Sequence, residues 1–333
     1  MKRWFGLEFL LLIMILLTAV MALVTLPGRT AEPALSDSVS TTQTTAQTTQ
    51  TETTVPTEPE VEITWMEFPE DRELTALKAF VYDCQAGELT VMKGEETGKL
   101  YPASITKLFT AYIVLQYLQP ETVVTAGAAL DFVKEGSSVA EIQKGDKLTV
   151  EMLVQGMLLP SGNDAAYILA VETGRKLLED DSASAQTALD AFLEEMNSQA
   201  ESLGMTGTHF TNPDGYHHKN HYSTMADMAI LGKLSVENET IMTYAKMAQA
   251  KVTFENGTKK KWKNTNALIN PESEYYCPIV TGLKTGQTLS AGSCLMSSFE
   301  RGSKQYVVGI FGCQRPEERF ADTIQLINET VKK

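Results

Sequence analysis

Ser104 and Lys107 stand three residues apart in Tyr101-Pro-Ala-Ser-Ile-Thr-Lys-Leu108, where an apolar run to Leu118 begins. On a helix, positions i and i+3 share a face, so the Lys107 amine can lie beside the Ser104 hydroxyl. A serine hydroxyl attacks a carbonyl only when a base takes its proton, and lysine is such a base only when neutral. Burial, or a second nearby cation, lowers a lysine pKa toward that state. Pro102 suits the first helical turn, where a missing N–H costs nothing. The helix N-terminus also offers a backbone N–H to a developing oxyanion. Ile105, Leu108, Phe109, Tyr112, Ile113, Leu115 and Leu118 make this helix apolar nearly all round, which predicts that it is buried, Lys107 with it.

Two more short motifs follow in order. Ser161-Gly-Asn-Asp164 is a polar loop placed between two helical segments, and Lys284-Thr-Gly286 ends an apolar strand-like run from Ile279. Taken singly, Ser161 and Asn163 read as helix caps and Lys284-Thr285-Gly286 as a turn. Together with Ser104-x-x-Lys107, they form the triplet found in penicillin-binding proteins and class A β-lactamases.

The elements that must position these residues can be read from pattern and punctuation. Lys78–Asp83 and Glu88–Lys93 read as strands joined at Gln85-Ala-Gly87. The Ser104 helix is expected to run to Pro120. Glu151–Leu159 is an apolar helix halted by Pro160, and Ser161–Asp164 is expected to cap the next, Ala165–Thr173. Leu189, Phe192, Leu193, Met196, Ala200 and Leu203 form a helical stripe closed by Gly204. Thr224 and Asp227 fit a capping box for Met225–Leu234, and Asn256-Gly257 a tight hairpin. Gly292–Phe299 and Gln305–Gly312 read as an antiparallel pair before a last helix, Glu317–Val331. Strands at both ends with helices between predict one α+β domain whose N- and C-terminal strands share an antiparallel sheet.

The 333 residues are 43% hydrophobic with a net charge of −14, enough for a large core. That acidic balance excludes nucleic acid as a partner. The basic run Lys259-Lys-Lys261 reads as a solvated hairpin arm. Cys84, Cys277, Cys294 and Cys313 include no C-x-x-C pair, so a structural zinc site is not expected. A turn near Arg301–Lys304 would set Cys294 opposite about Ile310, which favours thiols over bridges. His217, His218 and His221 lack a metalloprotease pattern and are read as part of a polar loop ahead of Thr224. Neither metal nor cofactor is expected.

Ahead of the globular part, Lys2 and Arg3 precede eighteen uncharged residues, Phe9 to Leu26. That length suits an uncleaved membrane anchor better than a signal peptide, since no clean cleavage site follows. In either case the remainder is exported. Residues 1–29 are therefore assigned to an anchor or signal segment, 30–64 to a Ser/Thr/Gln-rich disordered stalk, and 65–333 to a catalytic domain.

From about Ala76 onward the chain resembles the D-alanyl-D-alanine carboxypeptidases, low-molecular-mass penicillin-binding proteins of the bacterial envelope. The resemblance lies in Ala79-Phe-Val-Tyr-Asp83, Pro102–Lys107, Ser161–Asp164, Asn212-Pro-Asp-Gly215, His221-Tyr-Ser-Thr224 and Gly282–Gly286. It implies the penicillin-binding, β-lactamase-like fold: an antiparallel sheet packed with helices beside an all-helical part, with the site between them. It further implies that Ser104 attacks the carbonyl between two D-alanines of a peptidoglycan stem peptide and that Lys107 takes its proton. Ser161 would relay a proton to the leaving amine, and Asn163 would orient Lys107 and the substrate amide. The N–H groups of Ser104 and Gln287 would form the oxyanion hole. Thr285 and Thr288 would hold the terminal carboxylate, helped by the charge of Lys284 and joined by Arg319, and Gly286 is counted with them among the substrate-binding residues. β-Lactams would be covalent inhibitors. Gln287 departs from the His or aromatic residue of many relatives. A C-terminal extension common in the family is expected to be absent, leaving membrane attachment to the N-terminal segment. A DD-endopeptidase, a transpeptidase, a serine β-lactamase or a non-catalytic wall-binding module are the alternatives. The β-lactamase is disfavoured because Glu194 and Glu195 lie on the Leu189 helix, without a convincing deacylating carboxylate after Ser161.

Overall fold

The computed structural model describes residues 72–332. The expected anchor and stalk, and residues 65–71 of the expected catalytic domain, lie outside the described residues. Among the described residues no helix is long and apolar enough to cross a membrane.

The first hairpin, β1 (Lys78–Asp83) and β2 (Glu88–Lys93), falls where alternation places it. A 3-10 turn over Ala103–Ile105 leads into helix α1 (Thr106–Tyr117), and a two-stranded ribbon follows, β3 (Val123–Thr125) with β4 (Lys147–Thr149). The helical part continues with α2 (Val150–Leu158), α3 (Asn163–Leu178), α4 (Ala185–Ser202), α5 (Met225–Val236) and α6 (Glu239–Ala245). A second hairpin pairs β5 (Gln249–Thr253) with β6 (Lys259–Lys263). Strands β7 (Val280–Thr288), β8 (Gly292–Arg301) and β9 (Lys304–Cys313) precede the last helix, α7 (Glu318–Lys332).

The main sheet is antiparallel with order β2-β1-β9-β8-β7, so the first and last strands of the domain do share it. This is the expected α+β arrangement, an antiparallel sheet packed with helices. One face carries α7, whose Phe320, Ile324 and Ile327 pack with Leu295, Phe299, Val308 and Ile310. The other carries the helical part, with Phe80, Met296, Val307 and Phe311 meeting the α1 residues Leu108 and Phe109. Asp322, buried in α7, accepts from Arg72 Nη2 (2.7 Å), the Thr75 N–H (2.9 Å) and the Ala76 N–H (2.8 Å), tying the first described residues to the last helix.

Several local expectations are revised. Helix α1 ends at Tyr117, short of Pro120, and Leu118 is already extended (φ −115°). The residue before a proline avoids the helical region, so the chain straightens ahead of it. Thr224 caps α5 through the Asp227 N–H, but the Asp227 carboxylate accepts from the Thr208 hydroxyl (2.6 Å), so only half of the expected box is seen. Cys294 does not face Ile310. Leu295 does, and Ser293 faces Cys313, because a bulge between them shifts the register. All four cysteines are free thiols.

Candidate active site

Ser104 is presented by the 3-10 turn Ala103–Ile105, one residue before α1 begins. Ala103 holds φ +49°, a conformation that favours glycine and costs about 1–3 kcal/mol in other residues. The facing loop explains how it persists. Gly215 (φ +81°) sits so close that a Cβ there would fall 1.9 Å from the Ala103 carbonyl oxygen and 2.9 Å from the Ser104 nitrogen. From the other side, a Cβ on Gly286 would lie 3.1 Å from the same nitrogen. The Ser104 turn is thus held between the 212–216 loop and β7, as a small residue at Gly286 requires.

Lys107 lies one turn on and is fully buried. Its Nζ donates to Ser104 Oγ (2.8 Å) and to the Asp214 carbonyl (2.7 Å). Burial drives its pKa down to about 8, partly offset by the charges of Asp214 and Asp164. A substantial neutral fraction near neutral pH is what a base for Ser104 requires. Asp214 is itself completely buried, with Oδ1 accepting from the Tyr216 N–H (3.0 Å) and Oδ2 without a partner. Burial raises its pKa, and the Lys107 charge opposes the rise.

Ser161 and Asn163 lie between α2 and α3. The expected capping role is not what they do. Gly162 is the N-cap residue, without a side-chain bond, and Asn163 already belongs to α3. Asp164 organises the loop instead, accepting from the N–H groups of Ala140 (2.8 Å), Ala165 (2.9 Å) and Ile142 (3.0 Å). Ser161, at φ +65°, is again in a conformation disfavoured for its type. Both Ser161 and Asn163 are 5% exposed, and no hydrogen bond to a described residue occupies either side chain.

The third motif rides on β7, the edge strand. A register shift between Val280 and Gly282, with Leu283 at φ +81°, re-aims the strand just before Lys284. Lys284 is 1% exposed and donates to the Thr285 carbonyl (3.0 Å). Burial, then the nearby charges of Lys107 and Arg319, hold its pKa well below the usual lysine value. The Thr285 hydroxyl meets the Thr265 hydroxyl at 2.5 Å. Gln287 is exposed at the strand end, and Thr288 Oγ1 accepts from the Ala291 N–H (3.0 Å), closing the β7–β8 turn. Arg319, the first turn of α7, is buried and donates Nη1 to the Gly286 carbonyl (3.2 Å), behind the strand on which the carboxylate is expected.

The structure therefore brings the partly exposed Ser104 against the buried Lys107, whose charge also acts on the buried Lys284, with Gly286 against the Ser104 turn. Three of the five non-glycine residues with positive φ among the described residues stand in or beside the three motifs. Sequence reasoning quoted Asp214, Gly215 and Asp164 only as members of short motifs and missed what they do, and it passed over Thr265 and the structural role of His221. The last is buried: its Nδ1 accepts from the Thr211 N–H (3.1 Å), so Nε2 carries the proton and donates to Thr106 Oγ1 (2.8 Å) at the head of α1. Burial drives its pKa down to about 3. Among the described residues no group of His, Cys, Asp and Glu is arranged to hold a metal ion. Glu195 accepts from Tyr117 Oη (2.6 Å) on the far side of α1.

A family model described as D-alanyl-D-alanine carboxypeptidase matches residues 65–314. The chain is 32% identical over 237 residues to D-alanyl-D-alanine carboxypeptidase DacF of Bacillus subtilis (strain 168), covering 69% of this chain and 56% of that protein. It is 32% identical over 234 residues to the D-alanyl-D-alanine carboxypeptidase of Streptomyces sp. (strain K15), covering 68% of this chain and 77% of that protein. It therefore spans little more than half the length of DacF. Among solved structures, the Streptomyces K15 DD-transpeptidase superposes with a TM-score of 0.71 at 28% identity, covering 79% of this chain and 99% of that one. Penicillin-binding protein D2 from Listeria monocytogenes, in its ampicillin-bound form, gives 0.62 at 29% identity, covering 77% and 97%.

Proposed function

Because the chain belongs to the D-alanyl-D-alanine carboxypeptidase family, we propose that it removes the terminal D-alanine from peptidoglycan pentapeptide stems through an acyl-enzyme on Ser104. The observation that carries this reading is the 2.8 Å contact from the fully buried Lys107 Nζ to Ser104 Oγ. Neutral Lys107 takes the hydroxyl proton as Oγ bonds to the carbonyl carbon between the two D-alanines. The Ser104 and Gln287 N–H groups receive the oxyanion. The C–N bond breaks as Ser161, aided by Lys284, passes to the departing D-alanine amine the proton that Lys107 took. Water then attacks the ester, with Lys107 again the base. Asn163 holds the substrate amide, while Lys284, Thr285 and Thr288 hold the terminal carboxylate. Arg319 steadies the Gly286 carbonyl and adds positive charge behind it. No metal or cofactor has a part in these steps. A β-lactam would be trapped at the ester stage.

The expected seat of this activity is the outer face of the bacterial plasma membrane, reached through the N-terminal segment, or secretion if that segment is cleaved. The test is labelling with a fluorescent penicillin, combined with mass spectrometry of a pentapeptide incubated with the protein. A stable adduct on wild type, none on Ser104→Ala, and loss of one alanine support the reading. Labelling that persists in Ser104→Ala removes Ser104 as nucleophile. Rapid release of hydrolysed antibiotic points to a β-lactamase, and cleavage of cross-linked dimers alone to an endopeptidase.

A further inference from the structure

Thr265 joins two walls of the site. Its N–H donates to the Leu159 carbonyl (3.1 Å), two residues before Ser161 on the helical side. Its hydroxyl meets the Thr285 hydroxyl of β7 at 2.5 Å. The residues on either side pin it in place. Asn264 Nδ2 donates to the carbonyls of Ala245 (3.1 Å) and Met247 (3.0 Å). The buried Asn266 donates Nδ2 to the Gly282 carbonyl of β7 (3.2 Å). Backbone and flanking amides thus fix where the Thr265 hydroxyl stands, and its own side chain is not needed for that placement.

The direction of the bond between the two hydroxyls then matters. A hydroxyl has one proton to give and two lone pairs, whereas a carboxylate only accepts. Thr285 is 4% exposed, and neither hydroxyl has another partner among the described residues. With the site empty, either threonine can be the donor. Thr285 can hold a carboxylate only by giving its own proton to it, so the proton between the threonines must then come from Thr265. Thr265 is exposed, and water can donate to its lone pairs while it gives its proton away. Thr285 has no such recourse: without Thr265, its oxygen loses its one donor in a nearly closed site.

We propose that Thr265 is a positioning residue for the terminal carboxylate: it donates to Thr285 and so turns the Thr285 proton toward the carboxylate, a role that rests on the carboxypeptidase reading. O–H···O bonds that run in one direction polarise one another, and a carboxylate at the end makes the last of them charge-assisted. The same contact keeps the Thr285 side chain in one rotamer, since rotation about its Cα–Cβ bond would break it.

The experiment compares two peptides that end in D-Ala-D-Ala, one with its terminal carboxylate free and its twin amidated there, on the full chain. Release of D-alanine or D-alaninamide gives kcat and KM, and fluorescence anisotropy gives Kd. Wild type is expected to favour the free acid. Thr265→Ala should lower kcat/KM for the acid about tenfold, mostly through KM, as the loss of one hydrogen bond to a charge-bearing group would. It should leave the amide within about twofold of wild type, as a surface substitution does. Thr265→Ser, which restores the hydroxyl, should recover the wild-type preference. In a Thr285→Ala background, read by anisotropy, Thr265→Ala should cost nothing more, because the two act through one hydroxyl. Unchanged kinetics in Thr265→Ala, equal losses on both peptides, failure of serine to rescue, or additive losses in the double variant overturn the role. If wild type turns over neither peptide, the carboxypeptidase reading fails and anisotropy alone decides. Tighter binding of the acid than of the amide by wild type and Thr265→Ser, but not by Thr265→Ala, upholds the role, and any other pattern refutes it.

Discussion

If Lys107 must lose its proton before it can accept one from Ser104, acylation should follow the neutral fraction of that lysine. The pKa of about 8 set by burial means that about one molecule in a hundred has the neutral form at pH 6 and about half at pH 8. The second-order rate constant for acylation by a fluorescent penicillin should therefore rise about fifty-fold over those two units and level off above pH 9. Asp214 gives an independent handle, because its charge raises the Lys107 pKa. Asp214→Asn removes that charge while keeping the backbone carbonyl that Lys107 bonds, so the midpoint should move to lower pH. Rates measured by stopped flow from pH 6 to 9.5 at constant ionic strength decide the matter. A flat profile between pH 6 and 8, or an Asp214→Asn midpoint displaced upward, would refute the assignment of the free amine as proton acceptor.

Further expectations follow from the packing. Gly215→Ala should lower acylation by at least about a hundredfold while leaving a folded protein, because the new Cβ displaces the Ala103–Ser104 backbone. Gly302→Ala is the control, with similar positive φ but nothing within 4 Å of the new Cβ; it should show only the modest stability loss of a strained turn. His221 is neutral when folded, with a pKa of about 3, but takes a proton near pH 6.5 when unfolded. Stability should therefore fall as pH drops below 6.5, by about 2.5 kcal/mol between pH 7 and 4.5 from this residue. His221→Gln should lose correspondingly less in urea titrations over that interval, and an equal loss would remove His221 as the cause.

Much of the fold was legible because it is written in local pattern. The β1–β2 strands, the buried α1 and the pairing of β8 with β9 all follow from alternation and turn residues. The three motifs were visible because each combines unusual residue types at short spacing. What stayed hidden depends on distant chain segments. Asp214 looks like an ordinary loop acid until Lys107, 107 positions earlier, is placed on its carbonyl. Asp164 looks like a cap until residues 140–142 arrive to use its oxygens. The bulge that moves Cys294 off Ile310 puts its extra residue in β9, where Phe311 and Gly312 together face Cys294 and Gly312 takes φ +82°; one glycine at the end of a strand-like run does not by itself reveal a register shift. Thr265 gives no local sign that its hydroxyl will meet Thr285.

The strand order has one more consequence. Among the described residues, β9 is the last strand to be synthesised and the only one that links the β1–β2 hairpin to the β8–β7 pair. A chain emerging from the ribosome in sequence order can make both hairpins early, yet it has no way to join them until residue 313 is out. Partial translation products consequently leave the centre of this sheet unassembled, with unpaired strand edges open to proteases.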